Sequence, residues 1–231
     1  MTTPAASSFA AELRESTSEL HTIAEKSALQ KLLVTGRVSQ EQYVAHLGQM
    51  LILHRELDNA LRQAVKVSPA VALLVKDEQY QEPYLLEDLQ YFGVDPASIT
   101  PLASTSKIIA DIRRVEQEDP AALLGYHYVL EGANNGNRFI AKALAGTFRV
   151  RPGAPGTRYL DPYGERQREL WTTFKTNLDV IELSPATRAH ALECAKAMFL
   201  AVAHIGDEIM DKLGGSVVVM PQGPAVTVGH N

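Results

Sequence analysis

Leu13-Arg14-Glu15-Ser16-Thr17-Ser18-Glu19-Leu20-His21-Thr22-Ile23-Ala24-Glu25 is the stretch from which this chain of 231 residues is read. Its period is helical. Phe9, Leu13, Ser16, Leu20, Ala24 and Ser27 fall on one stripe of mostly apolar or small residues. Arg14 stands seven residues before His21, and Thr17 four before it. At 3.6 residues per turn these three share a face. An imidazole and a cation on one face suit an anionic metal cofactor; a lone helical histidine also occurs as a surface or satisfied core residue.

The same period continues downstream. Ser39-Gln40-Glu41-Gln42 reads as a capping box opening a long helix, whose apolar face runs Tyr43, Leu47, Met50, Leu51, His54, Leu57, Leu61, Val65. A shorter helix is expected from Pro83 to Tyr91, stopping before Gly93, and Asp95-Pro96 to Thr100-Pro101 reads as turns. Helix follows over about Ser104–Glu118. Asp119-Pro120 reads as an N-cap with proline at the first helical position, opening a helix to about Ala145 that ends at Gly146. Arg151–Gly164, with three prolines and three glycines, reads as a surface loop. Helices over about Pro162–Ile181 and from Ser184-Pro185 to Gly214-Gly215 complete the pattern, and 216–231 is expected to be an extended or disordered tail. The fold class expected is all-α: a single multi-helix domain over residues 1–215 with seven or eight helices.

Composition narrows the function. A net charge of −5 gives no sign of a nucleic-acid or anionic-membrane partner. No apolar run approaches the roughly 20 residues of a membrane span, and Met1 to Ala11 does not read as a signal peptide. Cys194 is the only cysteine, which fits a reducing cytoplasm.

A second unusual stretch is Tyr126-His127-Tyr128-Val129-Leu130-Glu131-Gly132-Ala133-Asn134-Asn135-Gly136-Asn137-Arg138-Phe139-Ile140. Each glycine inside a helix costs roughly 1 kcal/mol against alanine. Gly132 and Gly136 are four residues apart and share a face. That face suits either a close helix–helix crossing or direct contact of backbone with a flat ligand.

Taken together, these stretches resemble the haem oxygenase family. Leu13–Glu25 is similar to its proximal helix and Tyr126–Ile140 to its distal, glycine-rich helix. Tyr80–Gly93 is similar to its leucine-rich segment. Phe174-Lys175, Ser184-Pro185-Ala186-Thr187-Arg188 and Phe199-Leu200 follow in the order of its C-terminal helices. The likeness runs from about residue 10 to 213. It implies haem b held between proximal and distal helices as substrate and prosthetic group. It also implies dioxygen as oxidant, an electron donor such as ferredoxin or a flavoprotein reductase, and biliverdin, iron and carbon monoxide as products. His21 is then the iron ligand. Arg14, Tyr126 and Lys175 match propionate contacts, and Phe199, Gly132 and Gly136 match the pocket wall.

Four positions depart from the family pattern. Ser18 and Asp179 stand where basic residues are usual. Glu131-Gly132 replaces the Gly-Asp of animal members, whose aspartate organises proton delivery, and is similar to the variant of bacterial members. Asn134, Asn135 and Glu131 are the expected substitutes, with Gly132 and Gly136 in the same catalytic segment; amides order water although they do not transfer protons as a carboxyl does. The alternatives are a haem carrier or sensor without turnover, and a dimetal oxidase on the same fold using His204, Asp207, Glu208 and Asp211. A thiaminase-like enzyme would need a nucleophilic cysteine, whereas Cys194 reads as a core residue.

Overall fold

The computed structural model describes residues 8–214. The expected tail and the first seven residues lie outside them. Among the described residues there are nine α-helices: α1 (Phe9–Glu25), α2 (Ala28–Val34), α3 (Gln40–Val67), α4 (Pro69–Leu74), α5 (Glu82–Tyr91), α6 (Ala103–Glu118), α7 (Leu123–Phe148), α8 (Gln167–Val180) and α9 (Pro185–Leu213). The fold is all-α, as expected. No described helix is long and apolar enough to cross a membrane.

The caps explain most boundaries. Ser39 accepts from the Gln42 N–H while the Gln42 side chain accepts from the Ser39 N–H, completing the expected capping box. Ser184 accepts from the Thr187 N–H and opens α9. The helical pattern in the sequence did not reveal α2 and α4. Ser27, which falls on the first stripe, is the N-cap of α2, and Ser68-Pro69 opens α4. Asp119 does not cap α7. Its carboxylate lies 3.3 Å from His190 Nδ1, and Pro120–Ala122 form a 3-10 turn before the helix. The helix also runs through Gly146 to Phe148 and closes on Arg149, in the left-handed region at φ 56°.

The largest correction concerns Arg151–Gly164. Gly156, Thr157 and the run Tyr159–Tyr163 are buried, so this segment is part of the core rather than a surface loop. The Asp88 carboxylate, fully buried on α5, accepts from the backbone N–H groups of Gly156, Arg158 and Tyr159 at 2.7–2.8 Å. The Tyr43 hydroxyl donates to the Gly156 carbonyl. An irregular segment can be buried when side chains satisfy its backbone in this way.

α1, α3 and α7 all pack on α9. At the α7–α9 crossing the glycine that matters is Gly125, where a methyl would overlap the Ala191 carbonyl. Between α1 and α7, each resting on α9, a space remains.

Candidate functional site

That space is a cavity of about 780 Å³, within the range of small-molecule and cofactor sites. α1 contributes Arg14, Thr17 and His21 to its wall, and α7 contributes Tyr128, Gly132, Asn135 and Gly136. Trp171 and Lys175 come from α8 and Phe199 from α9. His46 and Met50 of α3 and Tyr159 of the buried segment also line it.

The face predicted on α1 is thus the face presented to the cavity. The Thr17 hydroxyl donates to the Leu13 carbonyl at 2.7 Å, so it serves the helix. His21 is 58% exposed, its Nδ1 lies 3.6 Å from Glu25 Oε1, and its ring meets Phe199 edge-on at 5.7 Å. Glu25 thus stands just beyond hydrogen-bond distance of Nδ1; a carboxylate that closes on one ring nitrogen fixes the tautomer that leaves the other for a metal. Lys175 Nζ lies 5.8 Å over the Trp171 ring, and Trp171 packs against Tyr128. Arg14 is near enough to the Tyr128 hydroxyl to favour its ionised form, against a larger effect of burial. Two cations from different helices therefore serve one cavity.

Of the expected residues, Tyr126, Asn134 and Glu131 do not line it. Tyr126 is buried beside Cys194, to which it hydrogen-bonds; Tyr128, on another face of α7, is the tyrosine this helix gives the cavity. Asn134 is buried with its amide 3.5 Å from Glu131 Oε2. Asn135 does line the cavity, but its amide donates to the Gly132 carbonyl at 2.9 Å and its carbonyl accepts from Gln167. Of the departures, Asp179 accepts the Ala10 N–H and so anchors the start of α1.

The glycines divide by role. A Cβ at Gly132 would sit 3.2 Å from Trp171, whereas one at Gly136 would meet no protein atom within 4 Å. Packing does not require glycine at 136. Gly136→Ala is accordingly expected to stabilise the ligand-free protein by up to about 1 kcal/mol of helix propensity, seen as a higher melting temperature, while weakening binding of any ligand laid against that wall. A lower melting temperature would show that the backbone itself needs the glycine.

Sequence reasoning missed His46, Tyr159 and Trp171. His46 lies four residues before Met50 on the cavity side of α3, a signal that helical spacing carries. Tyr159 gave none, being in an irregular segment. Behind the cavity, burial pushes the Glu131 carboxyl up to about 7, against the hydrogen bond its Oε2 accepts from the Tyr163 hydroxyl at 2.9 Å. The folded state therefore holds this proton more tightly than the unfolded chain. That stabilisation is complete below about pH 4.5 and is lost as pH rises through about 7. Glu131→Gln should flatten the fall of stability across this window, each tenfold difference in proton affinity between folded and unfolded chain being worth roughly 1.4 kcal/mol. Parallel urea-unfolding curves for the two proteins from pH 4 to pH 8 would contradict the assignment.

The match to a family decides what the cavity belongs to. The heme oxygenase profile matches residues 7–206. The chain belongs to the heme oxygenase family. Among curated members, heme oxygenase 2 of Synechocystis is 23% identical over 216 residues, covering 90% of this chain and 86% of the relative. That of Porphyra purpurea is also 23% identical, covering 92% and 89%. Among solved structures, heme oxygenase from Leptospira interrogans superposes with a TM-score of 0.79 at 26% identity, over 87% of this chain and all of that one. Synechocystis heme oxygenase-2 in complex with heme and NO superposes at 0.82 and 22% identity, over 90% and 87%.

Against this fold, the residues present suit haem: an imidazole with a carboxylate 3.6 Å from its Nδ1, two cations that suit the two propionates, and a helix wall of small residues. The dimetal alternative loses its key ligand. Glu208 accepts the Ala103 and Ser104 N–H groups and caps α6, while His204, Asp207 and Asp211 are exposed. Cys194 is buried and its thiol is pushed up to about 11 by burial, which is the state of a core thiol and not of a nucleophile.

Proposed function

We propose that this chain holds haem b between α1 and α7 and converts it to biliverdin, iron and carbon monoxide, using dioxygen and electrons from a ferredoxin or a flavoprotein reductase. The observation that carries the reading is the joining of His21–Glu25, Arg14, Lys175 and the Gly132–Gly136 wall in one cavity of a heme oxygenase family member. In this reading His21 Nε2 is the iron ligand, with Glu25 3.6 Å from Nδ1 and placed to select its tautomer. Arg14 and Lys175 hold the propionates by charge-assisted bonds. Gly132 and Gly136 let the ligand approach the backbone, Phe199 and Trp171 exclude water, and Asn135 braces the glycine segment through the Gly132 carbonyl. When bound, haem supplies the iron at which dioxygen is activated and is itself the molecule oxidised. A cytoplasmic setting is part of the proposal, supported by the single cysteine.

Titration with haem followed by reductant in air tests the reading. Loss of the haem absorbance with appearance of a linear tetrapyrrole is expected. A stable complex that survives reductant and oxygen would overturn it in favour of a haem carrier.

Arg14→Ala and Lys175→Ala should each weaken haem binding several-fold. Both side chains are exposed, and solvent holds each contribution to about 1 kcal/mol. The double variant should lose affinity further and release a mixture of biliverdin isomers, because the ring is no longer held in one rotation. Wild-type affinity and a single isomer in the double variant would place the propionates elsewhere.

A further inference from the structure

The inner end of the cavity holds a polar side chain that the proposed function leaves unused. Arg14, Ser18, His21 and Lys175 mark an open mouth, since all four are exposed. Leu29, Leu33 and Met50, all nearly inaccessible, belong to the closed part of the wall. His46 stands with them, one turn before Met50 on α3. Among the described residues no donor or acceptor reaches its ring: Nδ1 is sealed in protein without a partner, and Nε2 is the nitrogen left to the cavity. Burial pushes its pKa down to about 4, so the ring is neutral at neutral pH.

An imidazole left unpaired in a core is costly, and leucine or valine would fill the same place without that penalty. Its partner must therefore enter the cavity. A neutral ring offers one N–H donor and one acceptor; with the proton on Nε2, the donor faces the cavity and only a lone pair is sealed behind it. Being uncharged, the ring is no third anchor for propionates, which Arg14 and Lys175 meet at the mouth. The Tyr159 hydroxyl, another polar group of the wall, lies 3.2 Å from His54 Nε2 and is already engaged.

Haem itself gives the His46 donor nothing to bind. Its two propionates stand on adjacent pyrrole rings. With them at the mouth, the edge turned inward carries only methyl and vinyl groups and a bridging CH. Opening the ring at that bridge changes the edge: the bridge carbon leaves as carbon monoxide, and each of the two pyrroles it joined gains a carbonyl oxygen. We infer that His46 is a product-recognition residue, whose Nε2–H donates to a carbonyl oxygen of the linear tetrapyrrole opened at the inner edge, a bond that haem does not offer. The role rests on the reading of the cavity as a site of haem oxidation, with the propionates at its mouth. A donor against the hydrocarbon edge of haem is desolvated and unsatisfied, whereas the same donor against a carbonyl is satisfied. His46 thus shifts the preference of the site from substrate toward product. Among products it favours the isomer whose oxygens fall at the inner edge.

Equilibrium titration of the ligand-free protein tests this role, on wild type, His46→Leu and His46→Gln. The probes are haem, biliverdin IXα, which is opened opposite the propionates, and biliverdin IXγ, which is opened between them. Wild type should bind the IXα isomer more tightly than the IXγ isomer. His46→Leu should weaken IXα binding by about ten-fold, the scale of one buried hydrogen bond, while IXγ binding stays within about two-fold and haem binding is not weakened. His46→Gln, whose amide N–H stands near the place of Nε2, should recover most of the IXα affinity. Nitrogen NMR of the wild type gives a readout that needs no variant. The His46 Nε2 proton should move downfield with biliverdin IXα and not with gallium protoporphyrin, a diamagnetic counterpart of haem. Failure of the wild type to bind haem would overturn the proposed function, and the role of His46 with it. Where haem does bind, three results would each overturn product recognition and leave the proposed function standing: equal losses for all three ligands in His46→Leu, which mark a structural role; a changed haem spectrum in that variant, which marks contact with the iron; or an unchanged IXα affinity.

Discussion

His21→Ala is expected to abolish the histidine-ligated haem spectrum and all haem turnover while leaving the fold intact. The side chain is more exposed than buried, and it meets the Glu25 carboxylate and the edge of Phe199. Neither contact contributes much to stability, and exposed substitutions usually stay within about 0.5 kcal/mol. Its loss removes the one imidazole that α1 sets on the cavity face. Added imidazole should restore part of the spectrum, since the space left open is the size of the ring removed. Glu25→Ala should give a weaker version of the same defect, as loss of a partner that orients a metal ligand commonly costs about 10- to 100-fold. An unchanged spectrum and rate in His21→Ala would remove the iron-ligand assignment altogether.

The second large effect belongs to a residue outside the cavity. Asp88→Ala leaves the N–H groups of Gly156, Arg158 and Tyr159 without their acceptor. An unsatisfied buried donor costs about 1–3 kcal/mol, so three of them approach the entire stability of an ordinary domain, about 5–15 kcal/mol. Burial pushes the Asp88 carboxyl up to about 6 even with three donors opposing that rise, which measures how deep the group lies. A large drop in the urea midpoint is expected, with fast amide exchange concentrated in 151–163. Because Tyr159 belongs to this segment, haem turnover should fall as well. Asp88→Asn keeps an acceptor and should be milder. An alanine variant as stable as wild type would mean the segment carries its own backbone.

How much of this is legible in the sequence depends on the range of the forces involved. Caps act within four residues, and Ser39–Gln42 and Ser184-Pro185 follow from local spacing. The shared face of Arg14, Thr17 and His21 follows from helical period alone, and the structure turns that face to the cavity. Lys175 and Phe199 come from resemblance in order along the chain, and they too line it.

What escapes the sequence is decided at long range. α7 is apolar on more than one side, so its own period does not say whether Tyr126 or Tyr128 meets the cavity; the crossing with α9 at Gly125 settles it. Proline and glycine in 151–164 correctly announce irregular backbone, but the acceptor that buries it stands about 70 residues earlier. Spacing puts His54 on the buried face of α3, while its partner Tyr159 is 105 residues away. Helical identity, most helix ends and the cavity-lining face of α1 are therefore determined by the sequence itself, because hydrogen bonds and side-chain period act within a few turns. Which face of α7 lines the cavity, the burial of the 151–163 segment and the pairing of His54 with Tyr159 are decided only by tertiary packing, because each depends on groups brought together from distant parts of the chain.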